Sequence, residues 1–176
     1  EGSKSIQCKR VLYTLLAAAV VVTVALFITP LRYKVWVATG IIATTAIAAI
    51  TLAVMALSGG EVVLAGLTTL FGAESIAVDK LSSLFLIIIA IASVATVIYS
   101  KGYVEGYLKR FSSAHIALHY TALTLLVVSM MVVVMSSGGF SFLFAWELMT
   151  IASFVLILFE AERQDVRRAA LNYLVM

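Results

Sequence analysis

Five stretches of this chain are almost continuously apolar, and each is long enough to cross a bilayer core, which takes about 20 helical residues. They run over Val11–Thr29, Val35–Ser58, Leu81–Ser100, Ile116–Met135 and Gly139–Phe159. A sixth begins near Ala169 and is cut off at Met176, and this stop inside an apolar run predicts a fragment of something longer. Lipid offers no hydrogen bonds to an open backbone, so the runs predict α-helices rather than buried strands. The expected fold class is all-α: a polytopic transmembrane helix bundle of five spans plus the start of a sixth, as one transmembrane domain over residues 1–176.

The breaks between runs follow local chemistry. Pro30, with Arg32 and Lys34, ends the first helix at an interface, because proline cannot continue the hydrogen-bond ladder. Ser136-Ser137-Gly138-Gly139 makes a short turn, which predicts that the fourth and fifth helices are antiparallel neighbours. The longest connection, Gly59–Lys80, is mildly apolar and contains Gly59, Gly60, Gly66 and Gly72. Glu61 and Glu74 leave too short an apolar run between them for a span, so an irregular or amphipathic interfacial segment is expected there. Lys4, Lys9 and Arg10 precede the first run in the manner of a signal peptide. The run nevertheless exceeds the usual 7–15 apolar residues, and no small-x-small cleavage site follows it.

Composition agrees with lipid as the main solvent. The chain is 63% hydrophobic and 12% charged, with a mean hydropathy of +1.13, whereas soluble domains carry about 25% charged residues. The net charge of +3 does not indicate nucleic acid, because the basic residues sit in short clusters between apolar runs. Cys8 is the only cysteine, so no intrachain disulfide can form. Placing the loops after the first, third and fifth helices in the cytoplasm puts eight of the basic residues inside, and the reverse puts four there. The count favours an outside N-terminus, although the basic N-terminal tail opposes it.

Glu147 is the one charged residue that falls within a run rather than in a tail, a loop or at a span boundary. It lies eight residues into its helix, roughly 12 Å deep at 1.5 Å rise per residue. An acid at the centre of a membrane helix costs about 2.5–3.5 kcal/mol on insertion scales. It persists by taking up a proton or by pairing with a cation on a neighbouring helix. Both make Glu147 a candidate proton acceptor and donor, and the competing reading is a protonated, hydrogen-bonded packing glutamate. No basic residue in the chain lies at similar depth. Leu143, Phe144, Thr150, Ile151 and Phe154 share its face by helical spacing. Thr150 can bond the carboxyl or its own backbone, and the second is commoner.

His115 and His119 are spaced i, i+4 on one face at the start of the fourth helix. Three readings stay open for them: interfacial packing, a proton relay, and a metal site that lacks a third ligand. Asp79 stands just before Leu81-Ser82-Ser83 and reads first as a helix N-cap. Glu160–Arg168 mixes three acids with three arginines, as in a solvated turn, and Met130, Met131 and Met135 are packing or lipid-facing residues. No glycine-rich phosphate loop, cysteine cluster or nucleophile–base pair stands out, so no cofactor and no metal are implied.

The stretch from Asp79 to Met176 resembles the antiporter-like membrane subunits of respiratory complex I and of related hydrogenase and cation-antiporter complexes. The residues that carry the likeness are Asp79-Lys80-Leu81-Ser82-Ser83-Leu84-Phe85 and Phe142-Leu143-Phe144-Ala145-Trp146-Glu147-Leu148-Met149, extended by Ser153 to Phe159 and by Arg167 to Leu174. The segment His115-Ile116-Ala117-Leu118-His119-Tyr120 is most similar to the hydrogenase-4 component B and formate hydrogenlyase branch. The resemblance implies the N-terminal part of a subunit of about 14 helices in the inner membrane, with two inverted five-helix repeats, that moves protons, or sodium in some relatives. It implies other membrane subunits as partners and a non-catalytic role within an oxidoreductase complex. Glu147 matches the family's fifth-helix glutamate, which pairs with a seventh-helix lysine that this sequence does not reach. Trp146 belongs to the same motif, and Thr150 is a further candidate structural or functional residue beside it. A cation/proton antiporter subunit without a redox partner, and a structural membrane anchor, are the two rival expectations.

Overall fold

The computed structural model describes residues 28–69, 72–106 and 111–160, together with Arg168 and Asn172. Most of the first apolar run and of the sixth lie outside the described residues. Within them the chain forms α1 (Leu31–Gly59), β1 (Val62–Thr69), β2 (Gly72–Val78), α2 (Lys80–Glu105), α3 (Ser113–Met135) and α4 (Gly139–Ile157), closed by a 3-10 turn at Leu158–Glu160. Four helices, not five or six, are therefore long and apolar enough to cross a membrane among the described residues, and they make this a mainly helical membrane protein. They correspond to the second to fifth runs, the first three helices being longer than their runs and α4 ending at Ile157, two residues short of its own. Tyr33 continues α1, and Lys101 and Tyr103 continue α2, past the apolar centres, where long side chains reach toward water.

Pro30 acts on both sides of its position. Besides breaking the preceding run, it caps α1, its carbonyl accepting the amides of Tyr33 at 2.9 Å and Lys34 at 3.3 Å. A proline just before a helix loses nothing, because the first amides of a helix lack partners within it.

The connection from Gly59 to Lys80 is not irregular. It is an antiparallel hairpin that pairs Val62 with Val78, Gly66 with Ser75 and Thr69 with Gly72, with a bulge between Val63 and Ala65. Val62, Val63, Thr68, Thr69, Ile76 and Val78 supply the β-branched side chains that favour strand. Gly60, at φ 95°, takes the left-handed conformation that turns the chain out of α1 and into β1. The other edge of β2 is tied to the α3–α4 turn. Ile76 bridges to Ser136, the Ser137 amide donates to the Ser75 carbonyl at 3.0 Å, and the Ser137 hydroxyl donates to the same carbonyl at 2.7 Å.

The bundle is organised around α1 and α2. Ala46, Ala49, Ala53 and Ala56 form a buried stripe that meets Leu86, Ile89 and Ala90 of α2, with Val127 and Met131 of α3 completing the cluster. Small residues let helix backbones approach closely where lipid supplies no hydrophobic drive for association. Toward the other end, Val35, Ala38 and Ile42 pack with Val97, Val104, Ile116, Tyr120 and Leu123. The expected antiparallel pair of α3 and α4 is present, and α4 packs chiefly on α3. Its buried residues, Ser141, Ala145 and Ala152, are all small.

Enlarging a residue of the alanine stripe should force α1 and α2 apart. Ala53→Leu, at a position with no exposure, is expected to cost about 1–3 kcal/mol, whereas Val54→Leu on the exposed face should change stability by less than about 0.5 kcal/mol. Unfolding of the two variants in mixed detergent micelles measures the difference, and equal stability would show that the stripe is not a close-packed seam.

Candidate functional site

Helix α4 places Glu147 at its middle, and Glu147 is the one acid in the four candidate spans. Its side chain is exposed rather than enclosed by the described helices. The geometry of α4 explains this. At about 100° per residue, Glu147 points roughly 120–160° away from Ser141, Ala145 and Ala152, the residues that meet α3. Leu143, Phe144, Trp146 and Ile151 share the exposed surface with it. Among the described residues Glu147 makes no hydrogen bond or ion pair. Thr150 donates to the Trp146 carbonyl at 3.1 Å, so its hydroxyl is directed at its own backbone. Trp146 stands over Phe142 with ring centroids 5.5 Å apart, and Phe144 stacks on Phe140 at 6.4 Å.

The two histidines do come together, at the end of the bundle away from the hairpin. The Ser112 hydroxyl caps α3 by accepting the His115 amide at 3.3 Å. His115 donates from Nε2 to the Phe159 carbonyl at 3.0 Å and stacks on Phe111 with centroids 4.5 Å apart. His119 lies with its ring 4.5 Å from that of Phe159 and its Nε2 3.4 Å from the Ser100 hydroxyl. Tyr103 closes the box from α2 at 6.4 Å. No group of three or more metal-ligating side chains occurs among the described residues.

Asp79 is an N-cap, as its position predicts. Its Oδ1 accepts the Ser82 amide at 2.7 Å, and that bond holds the carboxyl below the usual aspartate range. Glu74 does the same for α4 from a distance in sequence that concealed it. Its two carboxylate oxygens accept the amides of Phe140 at 3.0 Å and Ser141 at 2.9 Å. The Ser141 amide is the largest cause of its lowered pKa, partial desolvation opposes it, and the Phe140 amide adds to it. Gly138 leaves room for this approach, because a Cβ there would collide with the Glu74 side chain. Asp79 and Glu74 are thus structural groups at one end of the bundle, both on the hairpin side.

Lys34 is a second residue whose setting the sequence does not disclose. It reads as part of a boundary cluster, yet it lies in the first turn of α1 and is fully buried. Its i+4 and i+8 neighbours, Ala38 and Ile42, are buried too, so it continues the packing face of α1. Around it Tyr33, Trp36 and Tyr99 are exposed, and the Lys101 ammonium sits 4.2 Å from the Trp36 ring centroid. Exposed aromatics interleaved with a cation are the pattern of a membrane–water boundary.

No family model matches the chain. Two proteins of Mycobacterium tuberculosis, uncharacterized protein MT0090 and uncharacterized protein Rv0083, are each 43% identical to it over 75 residues. The match takes in 42% of this chain and 11% of each relative, so the matched stretch spans about a tenth of their length.

The lowered carboxyl pKa values of Glu74 and Asp79 make the hairpin end pH-dependent. A depressed folded pKa gives stability that is present above the unfolded-state value and is lost as pH falls through the folded one. Acidification should therefore loosen the starts of α2 and α4 first, read as faster hydrogen exchange at the Ser82, Phe140 and Ser141 amides. Asp79→Asn keeps a capping side chain that does not titrate, and should remove the pH dependence at Ser82 while leaving it at Ser141. A Ser82 amide that still opens with acid in that variant would refute the capping assignment.

Proposed function

We propose that the chain is the N-terminal part of a proton-translocating, antiporter-like membrane subunit that works within a redox-linked complex, with Glu147 as its proton-binding centre. On this proposal the runs at Val11–Thr29 and from Ala169 onward supply a further span and the start of another, in a multi-pass protein of the inner membrane. The partners are lipid and the other membrane subunits of the complex, and the translocated ion is the proton, or sodium as in some members of the family that the sequence resembles.

The observation that carries this proposal is the setting of Glu147. It is the lone acid of the candidate spans, at mid-helix, on the face of α4 that no described helix covers. A carboxyl at that depth needs a hydrogen-bonding or charged partner, or it must hold a proton. A partner helix carrying a cation would meet it on that face. A proton then joins the carboxylate when the cation withdraws and leaves when it approaches, because a nearby positive charge favours the ionised form. Phe144, Trp146 and Ile151 share its exposed face, and against a partner helix they would keep water from the carboxyl, so that such changes in charge act at low dielectric.

Glu147→Gln keeps the size and hydrogen-bonding capacity of the side chain but removes its titration. In the intact complex it should abolish proton translocation, measured as dye-reported acidification of membrane vesicles, while assembly is preserved. Unchanged pumping would sink the proposal and favour a structural anchor in which Glu147 only packs. Sodium-dependent transport by the unaltered protein, with no redox-driven step, would instead identify a cation/proton antiporter subunit.

A further inference from the structure

The histidine box at the end of the bundle away from the hairpin is not used by the Glu147 centre, and it contains an unexplained atom. His119 Nδ1 is buried and has no hydrogen-bond partner among the described residues. A buried polar atom left unpaired is uncommon and calls for an explanation in strain, chemistry or a mobile ligand. Packing alone explains it poorly, since a phenylalanine would fill the same space between Tyr103 and Phe159 without an orphaned nitrogen.

The surroundings fix the protonation of its neighbour. The Phe159 carbonyl can only accept, so His115 carries its proton on Nε2 and leaves Nδ1 as the basic atom. Both imidazoles lie against one phenyl ring, that of Phe159, at centroid distances of 5.0 Å for His115 and 4.5 Å for His119, each tilted to it. An aromatic face attracts a cation within about 6 Å of its centroid, by about 0.5–2 kcal/mol depending on desolvation. The box also lies at the boundary marked by Trp36, Tyr99 and Lys101, since Ser100 and Tyr103 that touch His119 follow directly on Tyr99 and flank Lys101 on α2.

We propose that His115 and His119 form a proton-loading site, at which a proton from the aqueous end is taken up by imidazole beside the Phe159 ring before it moves inward. This rests on the reading of Glu147 as the proton-binding centre, and it names the first side chains that a proton meets. The step is a simple transfer. An O–H bond of hydronium or of a protonated buffer breaks, an N–H bond forms at an imidazole Nδ1, and the ring becomes imidazolium until the proton passes on. No oxidant, reductant or metal takes part.

The groups that face the site are few. His115 and Tyr120, which meets His119 edge-on at 5.4 Å, lie on its own helix, Tyr103 comes from α2, and the turn contributes Phe159, which does not titrate. Ser100 is the polar contact from α2. Inward from the box, with His115 level with Phe159, His119 sits roughly 12 Å from Glu147 along the helix axis at 1.5 Å per residue. The hydroxyls of Thr124 and Ser153 in that interval donate to their own helices. The box is therefore a loading site, with onward transfer left to groups beyond it.

The test uses the full-length subunit in its native complex, with proton flux in vesicles normalised to assembled complex. His119→Gln keeps a side chain able to bond Ser100 but has no ring to protonate, and His119→Phe fills the box with an apolar ring. Both should slow translocation by about tenfold or more, in line with the 10²–10⁴-fold contribution of positioned acid–base groups, and both should flatten its dependence on pH at the side facing the box. Wild-type flux and pH profile in His119→Phe would overturn the inference and leave His119 as packing. Glu147→Gln run alongside separates the two claims. If it stops flux while the His119 variants pump normally, the loading site fails and the translocation reading stands; if it pumps normally, the translocation reading itself fails.

Discussion

The constraint on which the rest of this fold depends is that a helix end at a membrane surface must find partners for amides and carbonyls that the helix itself cannot satisfy. Polar side chains are scarce in a chain so apolar, and many of those that remain stand where helices start. Pro30 presents its carbonyl to α1, Asp79 its carboxylate to α2, Ser112 its hydroxyl to α3, and Glu74 both carboxylate oxygens to α4. The last of these is long-range. By capping α4 from strand β2, Glu74 fixes the start of the helix that carries Glu147 to the hairpin, and the paired Ser75 and Ser137 hydroxyls lock the same junction. Ser82 adds a tie from α2 to the Val134 carbonyl at 2.6 Å.

These ties make the two ends of the bundle unlike in kind. At the hairpin end, the carboxylates of Glu74 and Asp79 accept backbone amides, and those bonds hold the two carboxyl pKa values low. At the other end the polar atoms are imidazoles among aromatic rings, with one nitrogen unpaired among the described residues. An end whose hydrogen bonds are complete resists change, whereas an end with an unmet polar atom can accept a ligand as small as a proton. If protons do move through this protein, that asymmetry assigns rigid support to one side and exchange to the other.

Much of the fold was legible in the sequence because a bilayer reduces the question to length and polarity. The runs at Val35, Leu81, Ile116 and Gly139 each became a helix, the Ser136–Gly139 turn became an antiparallel connection, and Asp79 became a cap, all from local signals. What escaped was non-local. The Gly59–Lys80 segment looked structureless because its apolar run is short and interrupted, and only the pairing of Val62 with Val78 makes its β-branched residues count. Glu74 capping α4 depends on a contact 66 positions away. The full burial of Lys34 depends on where the ends of α2 and α3 fall. The signal for it was its spacing from Ala38 and Ile42, which a basic residue at a span boundary obscures.

The exposure of Glu147 follows from the same small residues that assemble the bundle. Ser141, Ala145 and Ala152 give α4 one narrow face for α3, and a helix that packs through such a stripe must present its larger side chains elsewhere. Leu143, Phe144 and Ile151 can meet lipid without loss, but a carboxyl cannot. Left facing hydrocarbon, the ionised group is disfavoured by about 2.5–3.5 kcal/mol, and the protonated group still lacks a hydrogen-bond partner. The bulky apolar residues around it therefore suit a lipid face or a helix interface equally, and it is the single acid that decides between them. On energetic grounds a polar contact on the face of α4 that no described helix covers would stabilise Glu147 more than lipid does.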